Sequence, residues 1–199
     1  SGRAVSLSSD GTRVAIGAND NDGNGSASGH VRIYDYNGSA WVQVGADIDG
    51  EAAGDKSGSS VSLSSDGSRV VIGAPNNDAG MTANNIYDYG HVRIYDYNGS
   101  AWVQVGADID GEGAGDASGF SVSISSDGTR IAVGAPSNND AASDAGHVRV
   151  YSLPGEVYKY TWDVDSGSTP PSGIYYATVS GTAAATGGAY SGTQSLTFT

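Results

Sequence analysis

The 199-residue chain contains no cysteine, which excludes disulfides and thiolate metal sites and leaves nothing from which to read a redox compartment. Positive charge is scarce. Nine Lys and Arg stand against 22 Asp and Glu, giving a formal net charge of -13. A phosphate backbone is gripped by Lys and Arg that displace its counterions, so nucleic acid and anionic membrane surfaces are not expected partners, whereas cations are favoured. No apolar run approaches the ~20 residues of a membrane helix, so no membrane insertion is expected. No signal peptide is visible and the chain starts inside a repeat, as a mature or excised piece would. Long stretches free of turn formers are missing too: 31 glycines are spread through a chain rich in Ser, Thr, Asn and Asp, which disfavours helix almost everywhere.

What is present is one passage written three times. Val5-Ser-Leu-Ser-Ser-Asp10-Gly returns from Val61 and, with Ile for Leu, from Val122. Each copy runs on through Gly-Ala (Gly17, Gly73, Gly134) to Gly-His-Val-Arg (from Gly29, Gly90, Gly146). The offsets are 56 and 61 residues, the extra five lying in the loop Pro75 to Tyr89. A period of this size predicts supersecondary units that bury their apolar faces only against neighbouring units.

Within a unit the apolar period is two. Ala4 to Ser8 alternates, Ser9-Asp10-Gly11-Thr12 turns the chain, and Arg13 to Ala18 continues. A second hairpin joins His30–Tyr36 to Ser39–Val44 through Asn37-Gly38, which predicts a type I′ turn; Asn98-Gly99 repeats it. In the third copy Pro154-Gly155 stands there, with Val157 to Val164 as closing strand. Each unit is thus expected to be four short antiparallel strands, the pattern of a propeller blade. Val14, Ile16, Val31 and Ile33 should pack blade on blade, with Tyr34, Tyr36 and Trp41 supplying the largest buried areas. The predicted fold class is all-β: three four-stranded antiparallel propeller-type blades (about 1–56, 57–117 and 118–165), an incomplete propeller, plus a C-terminal strand pair within 166–199. Asp10, Asp66 and Asp127 read as turn residues that bond their own backbone.

Ser118-Gly-Phe-Ser-Val-Ser-Ile124, then Ile131-Ala-Val-Gly-Ala-Pro136 and Gly146-His-Val-Arg-Val-Tyr151, resembles the FG-GAP repeat, the blade of integrin-type β-propellers and of many bacterial surface proteins. Ala53-Gly-Asp55 and Ala114-Gly-Asp116 sit where bacterial members carry such segments. The resemblance covers residues 1 to 165 and implies an extracellular, non-enzymatic propeller used for adhesion or scaffolding. Two departures stand out. The first hairpin is a tight Ser-Ser-Asp-Gly turn instead of the family's calcium loop, and three blades fall short of the 4–8 that close a propeller. Residues 166–199, with Ile174–Ser180 and Tyr190–Thr199 as strands, resemble the last strands of bacterial Ig-like adhesin modules.

The metal candidate is the connection between units, Asp47-Ile-Asp49-Gly-Glu51-Ala-Ala-Gly-Asp55, repeated as Asp108-Ile-Asp110-Gly-Glu112-Gly-Ala-Gly-Asp116. Alternating carboxylates around a glycine suit calcium, which takes 6–8 oxygen ligands, although the spacing is not an EF-hand and an acidic solvated loop reads equally well. Asn19 to Asn24, with Asn77-Asp78 and Asn139-Asp140, is a second such loop that Asx-turns also explain. His30, His91 and His147 hold one repeat position, which points to a structural role at a strand start. Asn24, Asn37 and Asn98 open glycosylation sequons. No Gly-x-Ser-x-Gly elbow occurs and no carboxylate pair stands apart from the repeats, so an enzyme is not expected. The expected function is structural or adhesive at the cell surface, with copies of the chain as partners through face stacking and strand addition. The alternative is a module that binds a glycan, peptide or surface protein through loops on one face, above all Met81 to Tyr89.

Overall fold

The computed structural model describes residues 1–78, 88–140, 142 and 145–153, all within the compact unit Ser1–Glu156. These residues hold thirteen strands and no helix. The fourth strand expected in the third unit and the C-terminal strand pair lie outside the described residues, as does most of the loop Met81 to Tyr89.

Sheet I contains β1 (Ala4–Leu7), β2 (Arg13–Ala18), β3 (His30–Tyr36) and β4 (Trp41–Gln43) in that order, with β5 (Ile48–Asp49) also paired to β3. Sheet II repeats it with β6 (Ser60–Leu63), β7 (Arg69–Ala74), β8 (His91–Tyr97), β9 (Trp102–Gln104) and β10 (Ile109–Asp110). Sheet III contains β11 (Ser121–Ile124), β12 (Arg130–Ala135) and β13 (His147–Ser152). All pairings are antiparallel and the registers repeat, for example Val14↔Tyr34, Val70↔Tyr95 and Ile131↔Tyr151. The four strands expected per unit thus become five in sheets I and II. β5 and β10 are two residues long, too short for an alternation to announce them.

The first turn forms as its residues dictate. The Asp10 carboxylate accepts from the Ser8 hydroxyl (2.7 Å) and from the amide and hydroxyl of Thr12 (2.9 and 2.8 Å). The second hairpin does not. Tyr36 pairs with Trp41, so Asn37 to Ala40 form a four-residue loop in place of a two-residue type I′ turn. Only Gly38 has positive φ, and the Asn37 side-chain oxygen instead accepts from the amides of Ser39 and Ala40. Asn98 repeats this at Ser100 and Ala101. The Asx side chain stabilises the loop, leaving no need for left-handed Asn.

Burial separates the two faces of each sheet. Val31, Ile33 and Ile48 of sheet I pack with Val61, Leu63, Val70, Ile72 and Tyr95 of sheet II in one apolar cluster. The opposite face of sheet II, with Val71, Val92 and Ile94, packs on Ile131 and Val133 of sheet III. Sheet II is covered on both sides, and every residue of β7 is buried. The outer faces are not. Leu7 is 60% exposed where its counterpart Leu63 is 7%, and Val148 is 69% exposed where Val31 is fully buried. The expected burial of Val14, Ile16, Tyr36 and Trp41 is corrected for the same reason. Val14 and Ile16 are half-buried, and Tyr36 and Trp41 exposed, because no sheet among the described residues covers this side of sheet I.

The seams are narrow as well as apolar. A Cβ on Gly17 would stand 2.0 Å from the Gly58 carbonyl oxygen, and one on Gly73 would meet the Gly119 oxygen at 2.0 Å, so only glycine fits. The Leu63 amide donates to the Ser6 hydroxyl (2.9 Å), and the Trp102 indole to the Val44 carbonyl (3.0 Å). Arg13, clamped to Asp35 at 2.6 and 2.7 Å, donates across the seam to the Gly67 carbonyl (2.9 Å). Its guanidinium lies 4.8 Å from the Tyr97 ring centre.

The loop between the second and third strands has pinned feet. The amides of Gly29, Gly90 and Gly146 donate to the carbonyls of Asn21, Asn77 and Asn138, each at 2.9 Å. Thirteen positions separate Asn77 from Gly90, against eight in the other two copies, yet the closure is the same.

Candidate functional site

The third strand of each unit opens on His and carries Arg two residues later, so alternation places both on one face. His30 pairs in register with Asp49 of β5. Its Nδ1 lies 3.5 Å from Asp47 and 3.9 Å from Asp49. Arg32 grips both oxygens of Asp47 (2.7–2.9 Å), and the Gln43 amide donates to the same carboxylate at 2.7 Å. In sheet II, buried His91 faces Asp108 at 3.6 Å and Glu51 at 3.9 Å. Glu51 comes from the connection preceding that sheet, and it pairs with Arg93 at 3.3 Å. Arg93 also donates to the Asp49 carbonyl (2.9 Å). In sheet III the pattern recurs with Glu112 on Arg149 and with Glu112, Asp140 and His147 converging.

The third-strand Arg therefore meets the acid of the incoming connection. Sheet I has no such connection among the described residues, and Arg32 turns to its own Asp47 instead.

These surroundings set the protonation. Burial, then the neighbouring Arg, pushes His30 and His91 below the usual imidazole range, so both are neutral at pH 7. The Arg32 and Gln43 hydrogen bonds hold Asp47 at about 2. Burial raises the Tyr95 hydroxyl.

Neither set of four carboxylates expected around a cation, Asp47, Asp49, Glu51 and Asp55 or Asp108, Asp110, Glu112 and Asp116, gathers into one group. Asp47 and Asp49 stand with His30, Glu51 and Asp108 with His91, and Glu112 with Asp140 and His147. Asp55 and Asp116 are buried elsewhere and brace the connection. Asp55 accepts from the Ala52 amide (2.9 Å) and Asn77 side chain (3.1 Å), Asp116 from the Gly113 amide and Asn138 side chain (both 2.8 Å). Asp110 joins none of the three groups. Each group is one imidazole and two carboxylates. That set suits a borderline transition ion better than calcium's all-oxygen shell, and Arg already neutralises one acid in each. The second candidate loop is built by Asx contacts: Asn21 accepts from the Gly23 amide and Asp22 from the Ala27 amide, both at 2.8 Å. The Asn24 side chain donates to the carbonyls of Gly50 and Glu51 (2.8 and 3.0 Å).

Sequence reading missed the three arginines, although Gly-His-Val-Arg shows them at one position in every copy. It also missed Asn138 and placed Asn77 only in the second candidate loop, whereas the buried amides of both complete the braces. A pocket of about 320 Å³, whose lining includes Arg3, Lys56, Asp88 and Phe120, opens over the ends of the sheets. Phe120 is exposed there. The groups of sheets II and III are charge-paired joints to the connection that precedes each sheet, whereas that of sheet I closes on its own Asp47. No protein-family model matches the chain, and no curated protein matches it either.

Proposed function

We propose that the chain is a non-enzymatic, extracellular structural or adhesive module of propeller-type blades that assembles by stacking and strand pairing into a larger surface or fibrous structure. One observation supports this above the others. Val5 and Leu7 at one end, and Val148 and Val150 at the other, are exposed, while their counterparts Val61, Leu63, Val31 and Ile33 are buried in the seams. Apolar sheet faces of this kind are normally covered. The resemblance of the repeats to FG-GAP blades supports the extracellular setting, and the recurrence of a His, Arg and carboxylate group in every unit supports a role that is carried by the array instead of by one centre.

Light scattering across a concentration series, with electron micrographs of the same samples, tests the reading. Rings or filaments are expected, and a monomer at every concentration refutes it.

A second reading, a binder of glycans or peptides, is favoured by the pocket beneath exposed Phe120, since an open aromatic ring beside polar groups is what a sugar face stacks on. Glycan-array binding that disappears in Phe120→Ala would support it.

A further inference from the structure

We propose that the open face of sheet III receives sheet I of a second copy of this chain, in the register in which sheet I receives sheet II. The inference rests on the assembly reading and adds the occupant and its alignment. Several contacts of the two internal seams have one half left over at each end of the described array.

The glycine contact comes first. The Gly58 and Gly119 carbonyls press on Gly17 and Gly73. Gly2 is the counterpart of Gly58 and Gly119 and has their φ, +82° against +81° and +82°, although nothing lies within 4 Å of where its Cβ would stand. The amides of Gly2 and Arg3, both donating to the Gly17 carbonyl (2.9 and 3.0 Å), hold it so without a neighbour. At the other end Gly134 matches Gly17 and Gly73. The atoms nearest its would-be Cβ all belong to Ser121 of its own sheet, the hydroxyl at 2.4 Å. One end carries a formed projection and the other a formed recess.

The polar contacts repeat the match. The Ser60 hydroxyl donates across the second seam to the Gly119 carbonyl (2.7 Å), so its counterpart Ser121 is placed to donate to Gly2 of the second copy. The Ile124 amide donates to the Ser62 hydroxyl (3.2 Å), so Ser123 is placed to accept from Leu7. The Arg69 guanidinium donates to the Gly128 carbonyl (2.7 Å), and Arg130 holds the same position in sheet III. Arg130 pairs with Ser152 where Arg13 and Arg69 pair with Asp35 and Asp96, so no carboxylate competes for it there. Behind these contacts, Val148 and Val150 are exposed where Val31 and Ile33 are buried against Val61 and Leu63, so they await Val5 and Leu7 of the newcomer. The contact is heterologous. It propagates head to tail, into a ring or an open array according to the rotation per copy.

The absence of cysteine makes the register directly testable. The Ser9 amide donates to the Ser65 carbonyl (2.8 Å) and the Ser65 amide to the Ser126 carbonyl (3.1 Å), which brings Ser126 against Ser9 of the second copy. Ser9→Cys and Ser126→Cys chains are treated with a short bismaleimide, separately and mixed. Ser65→Cys/Ser126→Cys within one chain calibrates the reagent's reach. A covalent dimer is expected in the mixture only. Gly134→Ala should cut its yield ~tenfold or more, since overpacking a seam costs upward of a tenfold in affinity, with the melting temperature of the monomer unchanged. Should that variant melt early, Ser121→Ala/Gly134→Ala relieves the crowded hydroxyl, and the same loss is expected. Efficient cross-linking of either single variant alone means a two-fold contact and overturns the proposal. Assembly seen by scattering without a mixed cross-link overturns the register and leaves the assembly reading standing. A monomer at every concentration, with the face of sheet III covered by Val157–Thr199 or by nothing, overturns both.

Discussion

One substitution made twice measures what a seam contributes. Leu7 and Leu63 are the same residue type at the same repeat position, yet one is 60% exposed and the other 7%. Leu63 lies in the cluster formed by sheets I and II, so Leu63→Ala removes buried methyl groups and leaves a cavity between two backbones that cannot collapse onto it, the Gly17–Gly58 contact holding them apart. Core Leu→Ala changes cost ~2–5 kcal/mol, and this one should fall at ~2–4 kcal/mol. Leu7→Ala removes a side chain that is mostly in water and should cost less than ~1 kcal/mol in dilute protein. The difference, about 2 kcal/mol, is read from urea unfolding at low protein concentration. It appears as a midpoint displacement of roughly 1 M with the slope unchanged. Val31→Ala against Val148→Ala supplies an independent pair with the same expectation, because Val31 is buried and Val148 exposed. Equal costs for the two leucines in dilute protein would refute the reasoning, since the stability would then not come from sheet stacking. A Leu7→Ala cost that grows with protein concentration is the signature of a face that becomes covered.

Asp116→Ala strands the buried Asn138 amide and the Gly113 N–H, and should cost ~1–3 kcal/mol, seen as a melting point lower by about 2–4 °C per kcal/mol. An unchanged melting point would show that the brace carries nothing. Asp10 and Asp127 are held at about 2 by hydroxyl and amide donors, and Asp47 at about 2 chiefly by Arg32. A depressed native pKa means that the unfolded chain binds protons first. The contribution is therefore complete above the ordinary 3.8 and is lost as pH falls through about 2. Urea midpoints measured downward from neutral pH should start to fall near pH 4, less steeply in Asp47→Asn, and a flat profile to about pH 2 would contradict this. EGTA should leave the melting midpoint unmoved, because Asp47, Glu51 and Glu112 already hold Arg partners and Asp55 and Asp116 hold amides; a fall of several degrees would place calcium among them.

The repeat, the strands and the acidic turn were legible because each is local. Val5-Ser-Leu alternates within one strand, and Ser8-Ser-Asp10 carries the donors and acceptor of its own turn. The Asn-Gly hairpin was misjudged because Asn has two ways to make a turn, and its side-chain oxygen satisfied the loop before left-handed backbone was needed. Burial of Tyr36 and Trp41 was overestimated because amphipathicity tells which face is apolar, never whether a neighbour arrives to cover it. The joints at His30 and His91 were invisible as units: Glu51 lies forty residues before His91 in sequence and meets it only once the sheets have stacked.

The anchored ends of the variable loop carry a consequence for engineering. One amide on one carbonyl closes the excursion between Asn77 and Gly90 just as it closes the shorter one between Asn21 and Gly29. The Asp88 and Tyr89 carbonyls accept from Ala117 and Ser118 as those of Ala27 and Ser28 accept from Lys56 and Ser57, so the scaffold tolerates added length ahead of Asp88 and Tyr89. Foreign peptides grafted there would be displayed at a fixed spacing along any array the molecule forms.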